Sequence, residues 1–150
     1  MPRPAVLPVL GAGNANLGSL TLAARRGGAR PSLRDAMDAL YADTIVVSEA
    51  ARRWLDGPGL AWREALPPEA ALAAALECLG VTTRLLAVMN WLLDPARQAD
   101  PPVLQAIACP LPPPLPDDHP MRADEAGGPI VMASRDLLAR AHRLATGDAP

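Results

Sequence analysis

The sequence predicts an all-α fold: an antiparallel three-helix bundle that pairs as a homodimer. Three observations carry this. Two long stretches place apolar residues at alternating steps of four and three, a glycine-proline stop separates them, and a third stretch with the same rhythm closes the chain. Such steps keep side chains on one face of a helix, and matching faces joined by a short connection favour antiparallel packing.

The first helix is read from Leu33, Met37, Leu40, Thr44, Val47, Ala51 and Trp54. Asp56, Gly57, Pro58 and Gly59 stop it, because glycine accepts a C-terminal cap and proline cannot continue the ladder. Pro67, Pro68 and Glu69 suit the first turn of the next helix, where a missing N–H costs nothing and a carboxylate meets the positive end of the dipole. There the rhythm returns in Leu72, Leu76, Leu79, Thr83, Leu86, Asn90 and Leu93, which are expected to face the first helix. Trp54 and Trp91 are expected in the core, with Trp62 contributing less from a connecting loop.

From Cys78 to Leu93 the only charged side chain is Arg84. A helix apolar nearly all round needs cover on more than one side. Cys78, Val81, Leu85, Val88, Met89 and Leu92 are therefore offered to a second neighbour. The closing helix supplies one, through Ile130, Ser134, Leu137, Ala141 and Leu144 with Val131 and Leu138 beside them. Apolar surface left over becomes a dimer contact.

Arg84 needs a partner or an edge, since an unpaired buried charge costs about 3–5 kcal/mol. Aligned across the turn, it falls beside Ala39, in reach of Asp38, Tyr41 or Asp43. It reads as an interhelical salt bridge or as a partner-binding arginine at a dimer edge. Thr82 and Thr83 suit back-bonding to the preceding turn. Asn90 suits a polar device that fixes pairing register.

The chain divides into a flexible N-terminal arm at 1–31, the hairpin at 32–94, a proline-rich linker at 95–128, the third bundle helix at 129–146 and a tail at 147–150. Nine of the 34 linker residues are proline, which excludes regular helix over most of it. It reads as a mobile polyproline spacer, with PLPPPLP at 110–116 as an alternative docking motif and a short helical turn allowed at 103–109. The arm is uncharged between Arg3 and Arg25, but prolines and glycines interrupt any signal-like apolar run. Its glycine-rich stretch is followed by no Walker lysine.

At 150 residues the chain suits one domain, with a modest helical core that gains from oligomerisation. A net charge of −2 and a pI near 5.6 give no electrostatic footprint for nucleic acid. All fourteen basic residues are arginine, so lysine Schiff-base and P-loop chemistry is excluded. Cys78 and Cys109 form no metal-ligand spacing with His119 and His142 and suit a reducing cytoplasm. Asp117, Asp118 and His119 lie in the linker without a nucleophile. The reading has no catalytic residue, metal or cofactor.

The segments AARRWLDGPGL, LECLGVTTRLLAVMNWLL and SRDLLARAHRL resemble the regulator of CtrA degradation family of alphaproteobacteria, over roughly residues 35–94 and the last helix. The motif residues are Leu55, Asp56, Gly57, Pro58 and Gly59 at the turn, then Thr82, Thr83, Arg84 and Leu85, then Trp91, Leu92 and Leu93. The resemblance implies a dimeric helical bundle without enzymatic activity, an adaptor in the cytoplasm that delivers cell-cycle proteins to the ClpXP protease with its accessory regulators. In this chain the proline-rich insert replaces the family's charged GEMT-like segment after the second helix.

Overall fold

Ser32 opens the first helix with a reciprocal cap: its hydroxyl accepts from the Asp35 backbone N–H, and the Asp35 carboxylate accepts from the Ser32 N–H. The computed structural model describes residues 29–148. In chain order the elements are α1 (Leu33–Asp56), α2 (Pro58–Glu64), α3 (Pro68–Leu93), α4 (Pro95–Gln98), a 3₁₀ turn (Pro120–Arg122) and α5 (Gly127–Thr146). The fold is all-helical, with α1, α2, α3 and α5 packing together. The arm, its signal-like stretch and its glycine-rich loop lie outside the described residues, except for the last residues before α1.

The α1 seam is as expected: Met37, Leu40, Thr44, Ala51 and Trp54 are buried, and Leu33 and Val47 are half-buried. The hydroxyl of Thr44 donates to the Leu40 carbonyl at 2.7 Å, so a polar side chain sits in the core satisfied. The α5 seam is also as expected, with Ile130, Val131, Ser134, Leu137, Leu138, Ala141 and Leu144 all buried. Gly147 ends α5 at φ 76°, the left-handed conformation that glycine adopts without strain, and its N–H reaches the Leu144 carbonyl.

The connection after α1 is helical, not a loop. Gly57 caps α1 through its N–H to the Trp54 carbonyl at 3.3 Å, and Pro58 starts α2 in the next position. Proline at N1 begins a helix as readily as it ends one. Trp62 therefore stands on a helix, half-buried, with its ring 5.9 Å from that of Trp54.

The α3 register differs most from expectation. The side expected to meet α1 is the outer one: Leu72, Leu76, Leu79, Leu86 and Leu93 are 62, 61, 64, 57 and 56% exposed, and Thr83 and Asn90 are exposed with them. The bundle instead receives Ala74, Cys78, Val81, Leu85, Val88 and Leu92, all buried. A helix apolar on every side carries no periodic contrast to mark its inner face. The buried side mixes small residues, Ala74 and Cys78, with large ones, Leu85, Trp91 and Leu92.

Those neighbours run in opposite senses. Arg34 and Tyr41 near the start of α1 share a cleft with Leu92 and Leu93 at the end of α3, so the α1–α3 pair is antiparallel. Gly127 at the start of α5 meets Trp54 at the end of α1, while Arg140 pairs with Asp43 at 2.7 Å, so α5 is antiparallel to α1 and parallel to α3. The α1–α3 hairpin is antiparallel as expected, whereas α5 runs parallel to α3 and not antiparallel to it. Two parallel neighbours need a connection that runs back along the bundle.

The proline-rich segment makes that return and is packed, which corrects its reading as a free spacer. Ile107, Leu115 and Met121 are buried in the core. Prolines donate no N–H, and side chains of the bundle and of the segment itself donate to carbonyls along the segment. Trp91 Nε1 reaches Gln105 O at 2.8 Å, Arg135 Nη1 reaches Pro113 O at 2.6 Å, and Arg122 Nη2 reaches Leu115 O at 2.7 Å. His142 Nε2 lies 2.7 Å from Cys109 O. Residues 103–109 form no helical turn.

Candidate functional site

The motif residues fall into two groups. At the turn, the Trp54 indole lies between two glycines: a Cβ on Gly59 would stand 2.6 Å from the ring, and one on Gly127 2.5 Å from it. The glycines are there because the indole occupies the space of a side chain. Gly57 is similarly tight, since a Cβ there would meet the Arg53 carbonyl at 2.8 Å. Leu55 packs half-buried on the core. Asp56 and Pro58 are exposed, Asp56 beside Arg52 at 4.0 Å. Arg63 of α2 closes the corner, donating to Leu55 O at 3.5 Å and to Cys78 Sγ at 3.3 Å, with its guanidinium 5.9 Å over the Trp54 ring.

On α3 the motif divides between faces. Leu85, Trp91 and Leu92 are buried. Trp91 also carries the buried Arg97 over its ring at 5.2 Å, and Arg97 donates to the Trp91 and Val103 carbonyls. Thr82 and Thr83 are exposed, their hydroxyls donating to Cys78 O at 3.3 Å and Leu79 O at 2.9 Å. Leu93 is exposed.

Arg84 is buried, but its partner is not on α1. Its Nη2 donates to Glu77 Oε1 at 2.6 Å and its Nε to Ser134 Oγ at 3.0 Å. Helical side chains lean toward the N-terminus, which carries the guanidinium back along α3 to a carboxylate two turns earlier. Gly80 leaves room for it, as a Cβ there would come within 2.8 Å of Arg84 Nη1. Arg135 of α5 approaches the same carboxylate from the other side, at 3.0 Å from Oε2. The expected pairing with Asp38, Tyr41 or Asp43 fails because Arg84 faces α5; Asp43 is held by Arg140.

Burial alone would raise the Glu77 carboxyl, but hydrogen bonds and charges from Arg135 and Arg84 outweigh it and hold it below the ordinary carboxylate value. Burial pushes the Arg84 guanidinium down, and Glu77 draws it partly back. Among the described residues, no buried side-chain nitrogen or oxygen lacks a hydrogen-bond partner, and no group of three His, Cys, Asp or Glu side chains is placed to hold a metal. The Glu77–Arg84–Arg135–Ser134 cluster is thus internally satisfied: it locks α3 to α5. Asp117, Asp118 and His119 are placed apart from it, His119 Nδ1 accepting from the Met121 N–H at 3.2 Å.

Sequence reasoning missed Glu77, Gly80, Arg135 and Arg97. One signal was available: Glu77 precedes Arg84 by seven residues, which is two turns on one face. Nothing in the sequence marks Arg97 for burial.

What remains open to solvent is the outer side of α3 with its row of leucines. The helix is long and apolar enough by composition to cross a membrane, yet in this fold one side is committed to α1 and α5 and carries the Glu77–Arg84 pair. A cleft of about 290 Å³ at the α1–α3 end, lined by Arg34, Tyr41, Leu92 and Gln98 among others, adjoins this face.

A match to the DUF1465 family, described as a protein of unknown function, covers residues 29–99. It takes in α1 to α4 and ends within the first residues of the proline-rich segment. No curated protein and no solved structure matches the chain.

Proposed function

We propose that the chain is a non-enzymatic adaptor of the cytoplasm that helps deliver cell-cycle regulatory proteins to the ClpXP protease, working as a homodimer with the protease's accessory regulators. The observation that supports it is the contrast between the sides of α3. The inner polar groups are paired with one another, and the outer face is an uncovered apolar row suited to protein contact. The resemblance in the turn and in the α3 motifs supplies the protease connection. Of the motif residues, Asp56, Pro58, Thr82, Thr83 and Leu93 are accessible to a partner, whereas Gly57, Gly59, Arg84, Leu85, Trp91 and Leu92 maintain the fold.

An adaptor raises the effective concentration of cargo at the protease and needs no catalytic residue. The reading includes no nucleic-acid partner, cofactor or membrane span. A second reading, a dimerisation or scaffold module without a protease role, is favoured by the same exposed row, which such a module requires equally. Purified ClpXP, its accessory regulators and candidate cargo, assayed with and without the folded chain, separate the two. Faster degradation of a particular cargo supports the adaptor; unchanged rates across a broad cargo set favour the module.

A further inference from the structure

We infer that the outer face of α3 is where a second copy of the chain packs, helix against helix and parallel, with Asn90 of one copy against Asn90 of the other. The pairing rests on the homodimer proposed above and not on delivery to a protease.

The spacing selects the occupant. Leu72, Leu76, Leu79, Leu86 and Leu93, with Thr83 and Asn90 completing the series, keep steps of four and three across three heptads, and each leucine is more than half exposed. A face of 3.5-residue period is matched by a second helix of the same period, which sets knobs into holes along the whole row. The bundle cannot supply that helix, because α1 and α5 pack on the opposite side.

The charge pattern agrees. Glu69, Glu77 and Arg84 are the charged residues of α3, and Glu77 and Arg84 are turned to α5. The row is thus uncharged and meets an identical uncharged row without repulsion. It lacks the basic flank that holds an amphipathic helix on an anionic lipid surface. The hydroxyls of Thr83 in the row and of Thr82 beside it are satisfied within α3, so their methyl groups can be covered without stranding a donor.

Size sets the strength. From Leu72 to Leu93 the row is about 32 Å long, and at a helix width of about 10–12 Å it covers roughly 350 Å² in projection. Stable interfaces bury about 800 Å² on each partner. Tyr41, which lines the cleft with Leu93, and Ile45, one turn further along α1, are exposed and extend the strip. The expected dimer is therefore reversible and concentration-dependent.

Asn90 selects the direction. An antiparallel pair that keeps the two rows in contact would set each Asn90 amide against Leu72 or Leu79 of the other copy and strand both amides on leucine. A parallel pair sets amide against amide and leucine against leucine, as polar seam residues do when they fix register.

The test is sedimentation of the full chain over a range of concentrations, for the wild type and for Leu79→Glu with Leu86→Glu, beside a Leu60→Glu control on α2. Helical circular dichroism and thermal unfolding show that each variant is folded; all three positions are exposed, so the core is untouched. The wild type and the control should approach twice the 15.7 kDa chain mass, and the double variant should weaken association by at least roughly tenfold. A double variant as dimeric as the wild type overturns the α3 face and leaves the homodimer standing. A wild-type monomer overturns both, and if it binds phosphatidylcholine vesicles through the same leucines, the face belongs to lipid. Asn90→Cys in a Cys109→Ser background should cross-link to itself on oxidation. Cross-linking only when mixed with Leu72→Cys or Leu79→Cys overturns the parallel arrangement.

Discussion

Arg84 Nε donates to Ser134 Oγ at 3.0 Å, and Ser134 Oγ donates in turn to Val131 O at 2.8 Å, so one serine hydroxyl joins the α3 guanidinium to the α5 backbone. With Glu77 accepting from Arg84 and Arg135, two cations share one carboxylate at the α3–α5 contact. Removing that carboxylate leaves both arginines unmatched. Glu77→Ala should destabilise by about 3–5 kcal/mol, and Glu77→Gln by less, since the amide oxygen still accepts. Ser134→Ala, which removes a neutral hydroxyl that accepts from Arg84 and donates to Val131 O, should cost about 1–3 kcal/mol. Urea denaturation of the three variants gives the order.

Glu77 also predicts how stability responds to acid. Its carboxyl is held below the ordinary value of 4.5 in the folded chain, so protons bind it more readily in the unfolded state. The contribution is present above that value and is lost as pH falls through the lower folded value. Denaturation midpoints should be flat from neutrality to about pH 5 and then decline, and Glu77→Gln should decline less steeply. An equal slope in both proteins would assign the acid response to other carboxylates.

At the turn, the indole of Trp54 is predicted to be the costliest ring to lose. It is buried between Gly59 and Gly127 and carries Arg63 over its face. Trp54→Ala should destabilise by about 3–5 kcal/mol. Gly59→Ala, which adds one methyl where the ring lies 2.6 Å from the built Cβ, should cost about 1–3 kcal/mol through overpacking. Trp62→Ala should fall between them, since Trp62 is half-buried against Trp54. Chemical denaturation monitored by circular dichroism ranks all three.

The contrast between α1 and α3 shows what periodicity can and cannot specify. On α1 none of the charged residues is buried, so the polar side marks the outer face and Met37, Leu40, Thr44 and Trp54 declare the inner one. On α3 both faces are apolar, and the leucines that draw the eye are outside. The site suffered the same limit. Burial of Arg84 was legible from its apolar neighbours, but its partner depended on α3 facing α5, and α5 returns through a segment whose path no local pattern sets. In that segment proline content correctly excluded helix. It carried no sign that Arg97, Arg135 and Trp91 would donate to the carbonyls that proline leaves available.

The proline-rich segment yields the last prediction, because its packing reverses what its composition suggests. Running back along α3 requires about 39 Å, and roughly 30 residues of extended chain reach more than twice that far. Length alone would tolerate a deletion. The anchors would not: removing residues 110–114 takes away the Pro113 carbonyl that Arg135 holds and shifts Leu115 from its buried place. That deletion should destabilise the fold by several kcal/mol, about the loss of one buried leucine and one charged hydrogen bond. A mobile spacer would lose almost nothing, since closure entropy changes slowly with loop length. Trp91→Phe provides a milder test, removing the donor to Gln105 O while keeping most of the buried ring. Hydrogen exchange on the intact chain should show protection at the Val103, Met121 and Arg122 amides, whose N–H groups are hydrogen-bonded, falling near Val103 in Trp91→Phe and remaining near Met121. Rapid exchange at all three in the wild type would return the segment to the role of a spacer.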